Sequence, residues 1–143
     1  MNTEKISINV NLTELGQVDY LVEKGLFTSR SDFIRLAIHK QLEAHTAEVN
    51  RYLHEGEEGQ VEDKKTNSIV NLGVYHFGPR EVRNLIENGK KADLKVIGAF
   101  HVSKDVTPED IRLTLSNIKV HGKIFATEDQ KQAINQVKGG SSN

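Results

Sequence analysis

Apolar and polar residues alternate at the start of the chain. In EKISINVNL (4–12), Ile6, Ile8, Val10 and Leu12 take turns with Lys5, Ser7, Asn9 and Asn11. A β-strand sends successive side chains to opposite faces. The spacing therefore predicts a strand that buries its even residues and shows one cation and three small polar groups. The period then changes. In LTELGQVDYLVEKG, Leu15, Val18, Leu21 and Val22 recur at helical spacing, with Asn11 or Thr13 placed to cap the start and Gly25 the end. After the turn LFT, SRSDFIRLAIHKQLEAH predicts a second helix. Ser29 and Asp32 have the spacing of a capping box, and Phe33, Ile34, Ala37, Ile38 and Leu42 form one apolar stripe. The helical pattern runs on through Val49, Tyr52 and Leu53.

The stretch HEGEEGQVEDKKTN (54–67) is acidic and has no apolar period, which predicts a linker. Beyond it, strand and helix patterns alternate: a strand over 69–77, a helix in PREVRNLIENGK, a strand in DLKVIGAFHV, a helix in TPEDIRLTLSNI, a strand in KVHGKIFAT and a helix in EDQKQAINQV. Thr107 is placed as a cap, with Pro108 at the first helical position and Asp110 three after the cap. Gly73, Gly98 and Gly122 stand 25 and 24 residues apart, each ahead of an apolar stretch and an acid-opened helix. Strand–helix units at that interval predict stacked β/α turns with parallel strands; a small open α/β sandwich is the rival layout. The expected fold class is α+β. The expected division is a head over 1–53, a linker over 54–67, an α/β repeat domain over 68–138 and a disordered tail over 139–143.

Composition narrows the function classes. Hydrophobic residues make up 36% of the 143 and charged residues 27%, which suits a globular chain with a modest core. With no cysteine, disulfides, thiolate metal sites and cysteine nucleophiles are excluded. No apolar run approaches the roughly 18 residues of a membrane span, so the expected location is cytoplasmic, at the nucleoid, with no membrane partner. No GxSxG, P-loop or GxGxxG stretch occurs, and carboxylates are scattered rather than paired. Neither an enzyme nor a cofactor is expected. The net charge of −1 hides a split: residues 1–48 carry −2, residues 49–65 carry −2 and residues 66–143 carry +3.

The order strand, helix, short turn, helix over residues 4–45 resembles the ribbon-helix-helix family of DNA-binding proteins, the Arc, MetJ and CopG type. The residues that carry the resemblance are KISINV and VDYLVEKGLFTSRSDFIRLAIHKQL, above all SRSDFIRLAI. The resemblance implies an obligate homodimer whose first strands pair antiparallel into a ribbon that enters the major groove of double-stranded DNA. Ile6, Ile8, Val10 and Leu12 would then join Phe33, Ile34 and Ile38 of both chains in one core. Lys5, Ser7 and Asn9 would face base edges, with Asn11 fourth unless it caps the helix. Ser29, Arg30 and Ser31 would anchor phosphate at the second helix's start, where unpaired N–H groups favour an anion. Asp19, Glu23 and Glu43 are expected to face away from DNA, with Glu4 and Asp32 near it. A transcriptional repressor is the leading expectation. A scaffold that uses the head only as a dimerising clamp is the alternative from another class, and an antitoxin-type regulator is a third.

The back half is expected to add higher oligomer contacts or to sense something, since a parallel stack leaves two open ends. The resemblance also raises a metal question, because a nickel-responsive repressor joins the same head to a metal-binding domain. Here no His-x-His pair occurs. His76 and His101, at equivalent repeat positions, are the weak candidates for ligands, and no metal is expected.

Overall fold

The structure, a computed structural model, describes residues 3–55 and 65–139. Residues 56–64 of the expected linker and 140–143 of the expected tail lie outside the described residues. The chain divides into two compact units between Glu58 and Gly59.

The first unit holds three helices: α1 (Leu12–Glu23), α2 (Arg30–Ala44) and α3 (Thr46–His54). The strand expected over 4–12 is not formed in the single chain: residues 3–11 have no regular structure and Leu12 opens α1. A strand needs a neighbour with which to exchange backbone hydrogen bonds, and the sheet of this chain is built from later segments alone. Asn11 takes the cap position, its side-chain oxygen accepting from the Thr13 N–H at 2.8 Å. Gly25, at φ 79°, closes α1: its N–H reaches Val22 O at 3.0 Å and that of Leu26 reaches Leu21 O at 3.1 Å. This doubled closure requires a left-handed residue, which glycine supplies without strain. The helical run expected to continue past α2 breaks at His45, whose backbone leaves the helical region while the Thr46 hydroxyl donates to Leu42 O at 3.2 Å. Such back-bonding bends helices.

The second unit alternates β1 (Thr66–Phe77), α4 (Pro79–Glu87), β2 (Lys91–Val102), α5 (Pro108–Thr114), β3 (Leu115–Phe125) and α6 (Glu128–Gly139). The three strands run parallel in the order β1-β2-β3. The helix expected to reach Ile118 stops at Thr114. Leu115 and Ile118 are three apart, which reads as helical spacing. A register shift opposite Ala92 and Asp93 leaves Ser116 as an extra residue, so the strand buries both leucine and isoleucine on one side. The Ser116 hydroxyl donates to Ala92 O at 3.1 Å and holds the irregularity.

Register places Gly73, Gly98 and Gly122 in one row across the sheet, at φ 118°, 134° and 128°. A Cβ at Gly98 would run into the Gly73 carbonyl, and one at Gly122 into the Gly98 carbonyl. The 25- and 24-residue interval in the sequence is thus a cross-strand register. One side of the sheet carries the core: Leu94, Val96 and Phe100 of β2 are sealed by Val82 and Leu85 of α4, Ile111 of α5, and Ala133 and Ile134 of α6. Thr107 and Asp110 form the expected reciprocal capping box (2.9 and 3.1 Å). Gln130, almost fully buried, caps α6 through Thr127 and donates to Ser103 O and Val106 O at 2.9 and 2.7 Å, tying α6 to the loop after β2. All of its polar capacity there is used, as burial demands.

Candidate nucleic-acid interface

The amino-terminal segment exposes both of its faces. Lys5, Ser7 and Asn9 are exposed, and so are Ile6, Ile8, Val10 and Leu12, at 68, 59, 39 and 84%. Four neighbouring apolar side chains in water carry an unmet driving force, since burial is worth about 1.5–3 kcal/mol for each side chain of this size. The helices add to that surface: Leu26, Leu36, Ile38 and Leu42 are also exposed, and no residue of α1 or α2 is buried. Phe33 packs edge-to-face on Phe27, ring centroids 4.9 Å apart, while Phe33 and Ile34 stay only half-buried. Asn11 spends its carbonyl oxygen on the cap, which leaves its NH₂ as the group able to donate elsewhere.

At the start of α2, the Ser29 hydroxyl accepts from the Asp32 N–H at 3.0 Å. The Asp32 carboxylate accepts from the N–H of Thr28, at 3.1 Å, one residue earlier than a reciprocal box requires. Ser31 is exposed beside them. Arg30 grips Asp19 with two parallel bonds: Nε to Oδ1 at 2.6 Å and the terminal nitrogen to Oδ2 at 2.7 Å. The Asp19 carboxyl is held below the usual carboxylate range, chiefly by the hydrogen bond from Arg30, and the same bond raises the guanidinium. Asp19 therefore does not face away from the predicted phosphate anchor; it sits on it. The two residues are eleven apart on different helices, so no sequence period could have linked them.

Four groups thus meet at the α1–α2 junction: a capping hydroxyl, a carboxylate turned back on the preceding turn, a guanidinium held in a bidentate pair, and the positive end of a 15-residue helix. Both charged partners of the ion pair are about half exposed, so the tie is weak enough to exchange for another anion.

In the second unit, register brings His76 beside His101, ring centroids 5.1 Å apart, in the wall of a cleft of 520 Å³ that Arg80, Glu81 and Lys104 also line. The third place in that row is Phe125, stacked on His101 at 4.3 Å. Phenylalanine offers no ligand atom, and among the described residues no three His, Asp or Glu side chains converge to hold a metal ion. His121 lies in another row, opposite Ile97. The burial of Tyr75, aided by the charge of Glu81, pushes its phenol up. No helix among the described residues is long and apolar enough to cross a membrane.

Residues 1–131 match the Ribbon-Helix-Helix transcriptional regulator family. No curated protein and no solved structure matches the chain at a significant level.

Proposed function

The chain belongs to the ribbon-helix-helix transcriptional regulator family, and from that premise we propose that it is a homodimeric, sequence-specific DNA-binding repressor. One observation carries the reading: an alternating apolar–polar segment, residues 5–12, that is exposed on both faces and has no strand partner among the described residues of its own chain. A twofold copy of the same segment would satisfy its backbone and cover Ile6, Ile8, Val10 and Leu12 together with Ile38 and the partner's equivalents. Lys5, Ser7 and Asn9 would then line the outer face of a two-stranded ribbon, whose width fits the major groove. Ser29, Arg30 and Ser31 would hold the backbone on either side and set the register. The second unit would add contacts between dimers. Its strand β1 is an open edge, and Leu72 and Val74 on it are 62 and 52% exposed.

The test is Asn9→Ala. Loss of a bidentate adenine contact weakens binding to the preferred sequence by roughly 1–3 kcal/mol while random duplex is bound as before. Ultracentrifugation should find the dimer intact. Equal affinity of the variant and the wild type for the preferred sequence would remove the base-reading assignment.

The scaffold reading is favoured by the head's own charge, −2 over residues 1–48, and by the bond that commits Arg30 to Asp19. DNA affinity rests largely on neutralised phosphates. Duplex binding at two salt concentrations separates the two: a regulator loses affinity steeply with salt and prefers one sequence, whereas a scaffold binds neither duplex even at low salt.

A further inference from the structure

Every helix of the second unit follows a strand. α4 crosses from β1 to β2, and α5 from β2 to β3. α6 follows β3 in the same way, but no strand comes after it among the described residues. The unit is therefore three strand–helix rungs of a stack, open before β1 and open after β3. Repeat stacks that end in water carry terminal rungs with a polar outer face. β1 is not such a rung: its twelve residues include no Asp, Glu, Lys or Arg, and Leu72 and Val74 on it are exposed.

The glycine row shows which neighbour the β1 edge is shaped for. Gly73, Gly98 and Gly122 share one backbone conformation. At Gly98 it admits the Gly73 carbonyl, and at Gly122 the Gly98 carbonyl. At Gly73 the corresponding space is open, with nothing within 4 Å of a Cβ placed there. By the same repetition Gly122 turns its carbonyl outward from the open β3 edge. A β3 strand laid parallel to β1, with Gly122 beside Gly73, continues the other rows as well. It sets Ile124 beside Tyr75 and Phe125 beside His76, as Ile124 already lies beside Phe100, and Phe125 beside His101, inside the unit. Lys123 meets Val74, so no like charges are brought together, which across two strands would be unfavourable.

We propose that the β1 edge receives the β3 edge of a second copy of this chain, in parallel, with the Gly122 carbonyl of one copy seated at Gly73 of the next. The proposal rests on the reading of the second unit as the contact between dimers, and it names the two surfaces that meet. They are different surfaces, so the contact is head-to-tail and joins copy after copy into a ring or an open row, unlike the twofold pairing of the amino-terminal segments. Each added copy supplies the strand that α6 lacks and lengthens the existing ladder without altering its register.

The chain has no cysteine, so introduced thiols report this pairing directly. Leu72 and His121 flank Ile97 in one row. Within one chain they stand two strand spacings apart, roughly 9–10 Å, which is beyond disulfide reach. Across the proposed contact they would be adjacent strand neighbours, about 4.8 Å apart, and within it. Full-length protein carrying Leu72→Cys and His121→Cys together, mildly oxidised, is expected to give a non-reducing ladder of linked copies beyond the dimer. Each single variant is expected to link no more than Leu113→Cys, a similarly exposed position on α5. Linkage of Leu72→Cys to itself overturns the inference in favour of a twofold β1 pair. Linkage of it to Ile8→Cys in a mixture overturns it in favour of the amino-terminal segment, and a double variant no more linked than the control overturns it outright. Gly73→Ala puts a methyl group where the carbonyl must enter, and should raise the concentration at which species larger than a dimer form by at least about tenfold; unchanged assembly of a folded Gly73→Ala chain counts against the proposal. Light scattering on the wild type keeps the two ideas apart. Larger species without the disulfide ladder leave the second unit as the contact between dimers and sink this pairing, whereas a wild type that stays a dimer at high concentration sinks both.

Discussion

Arg30 is committed before any DNA arrives. Its guanidinium meets the Asp19 carboxylate in a fork-to-fork pair, the strongest geometry open to it, yet both partners are half in water. Because the carboxyl is held below its usual range, the tie is fully present above the ordinary carboxylate pKa and is lost only as pH falls through the lowered value. Between pH 5 and 8 it is closed, so DNA binding through this residue should not change with pH across that window. Substitution separates the roles. Asp19→Asn frees the guanidinium for phosphate and should tighten binding to every duplex by roughly a few-fold. Arg30→Ala should weaken all sequences alike and reduce the salt slope by about 1. Fluorescence anisotropy on the two variants decides it; if neither differs from wild type, Arg30 serves only to fasten α1 to α2.

Among the elements, the glycine row explains how the three strands approach one another closely at this point of the register. Each of Gly98 and Gly122 lets the carbonyl of the preceding strand into the space a side chain would fill, at a φ that other residues rarely adopt. Gly98→Ala therefore combines a backbone penalty of about 1–3 kcal/mol with a collision against the Gly73 carbonyl. Urea denaturation should show the second unit destabilised by at least that much. Gly73→Ala has the same φ problem but open space around it, so it should cost less. Gly16→Ala, within α1 and with nothing within 4 Å, should instead stabilise by about 0.5–1 kcal/mol. If Gly98→Ala proves as harmless as Gly16→Ala, the row has no structural role. The interval of 25 and 24 residues was readable in the sequence because register in a parallel sheet turns a repeat length into a row. The extra residue at Ser116 was not, because a strand that bulges can mimic helical spacing for one turn.

For the whole molecule, the two units leave different surfaces unmet. The head exposes apolar side chains along residues 6–12 and the α2 stripe; the second unit exposes the backbone edge of β1 and, on the sheet face away from its helices, Leu72 and Val74. Open strand edges invite pairing with another chain, so self-association is expected through each unit, with dimers forming through the head and larger assemblies through residues 66–137. Light scattering across a concentration series should find species larger than a dimer, and Leu72→Lys with Val74→Lys on the β1 edge should return them to dimers. A wild type that remains a dimer at high concentration would assign the second unit to DNA or effector contacts alone.

Local pattern was enough for most of this architecture. The alternation of residues 5–12, the capping residues Ser29 and Thr107, Gly25 at the end of α1 and the strand–helix intervals each express a short-range rule about which backbone conformation a few neighbouring residues prefer. Those rules carried the family resemblance and the parallel repeat. Two matters belonged to contacts between residues far apart, and period is blind to those: the Asp19–Arg30 pair and the Gln130 bridge from α6 to the loop after β2. The first strand marks the boundary between the two kinds of knowledge. Its alternation is written in eight residues, but a strand exists only where another backbone meets its hydrogen bonds, and the described residues of one chain offer it none.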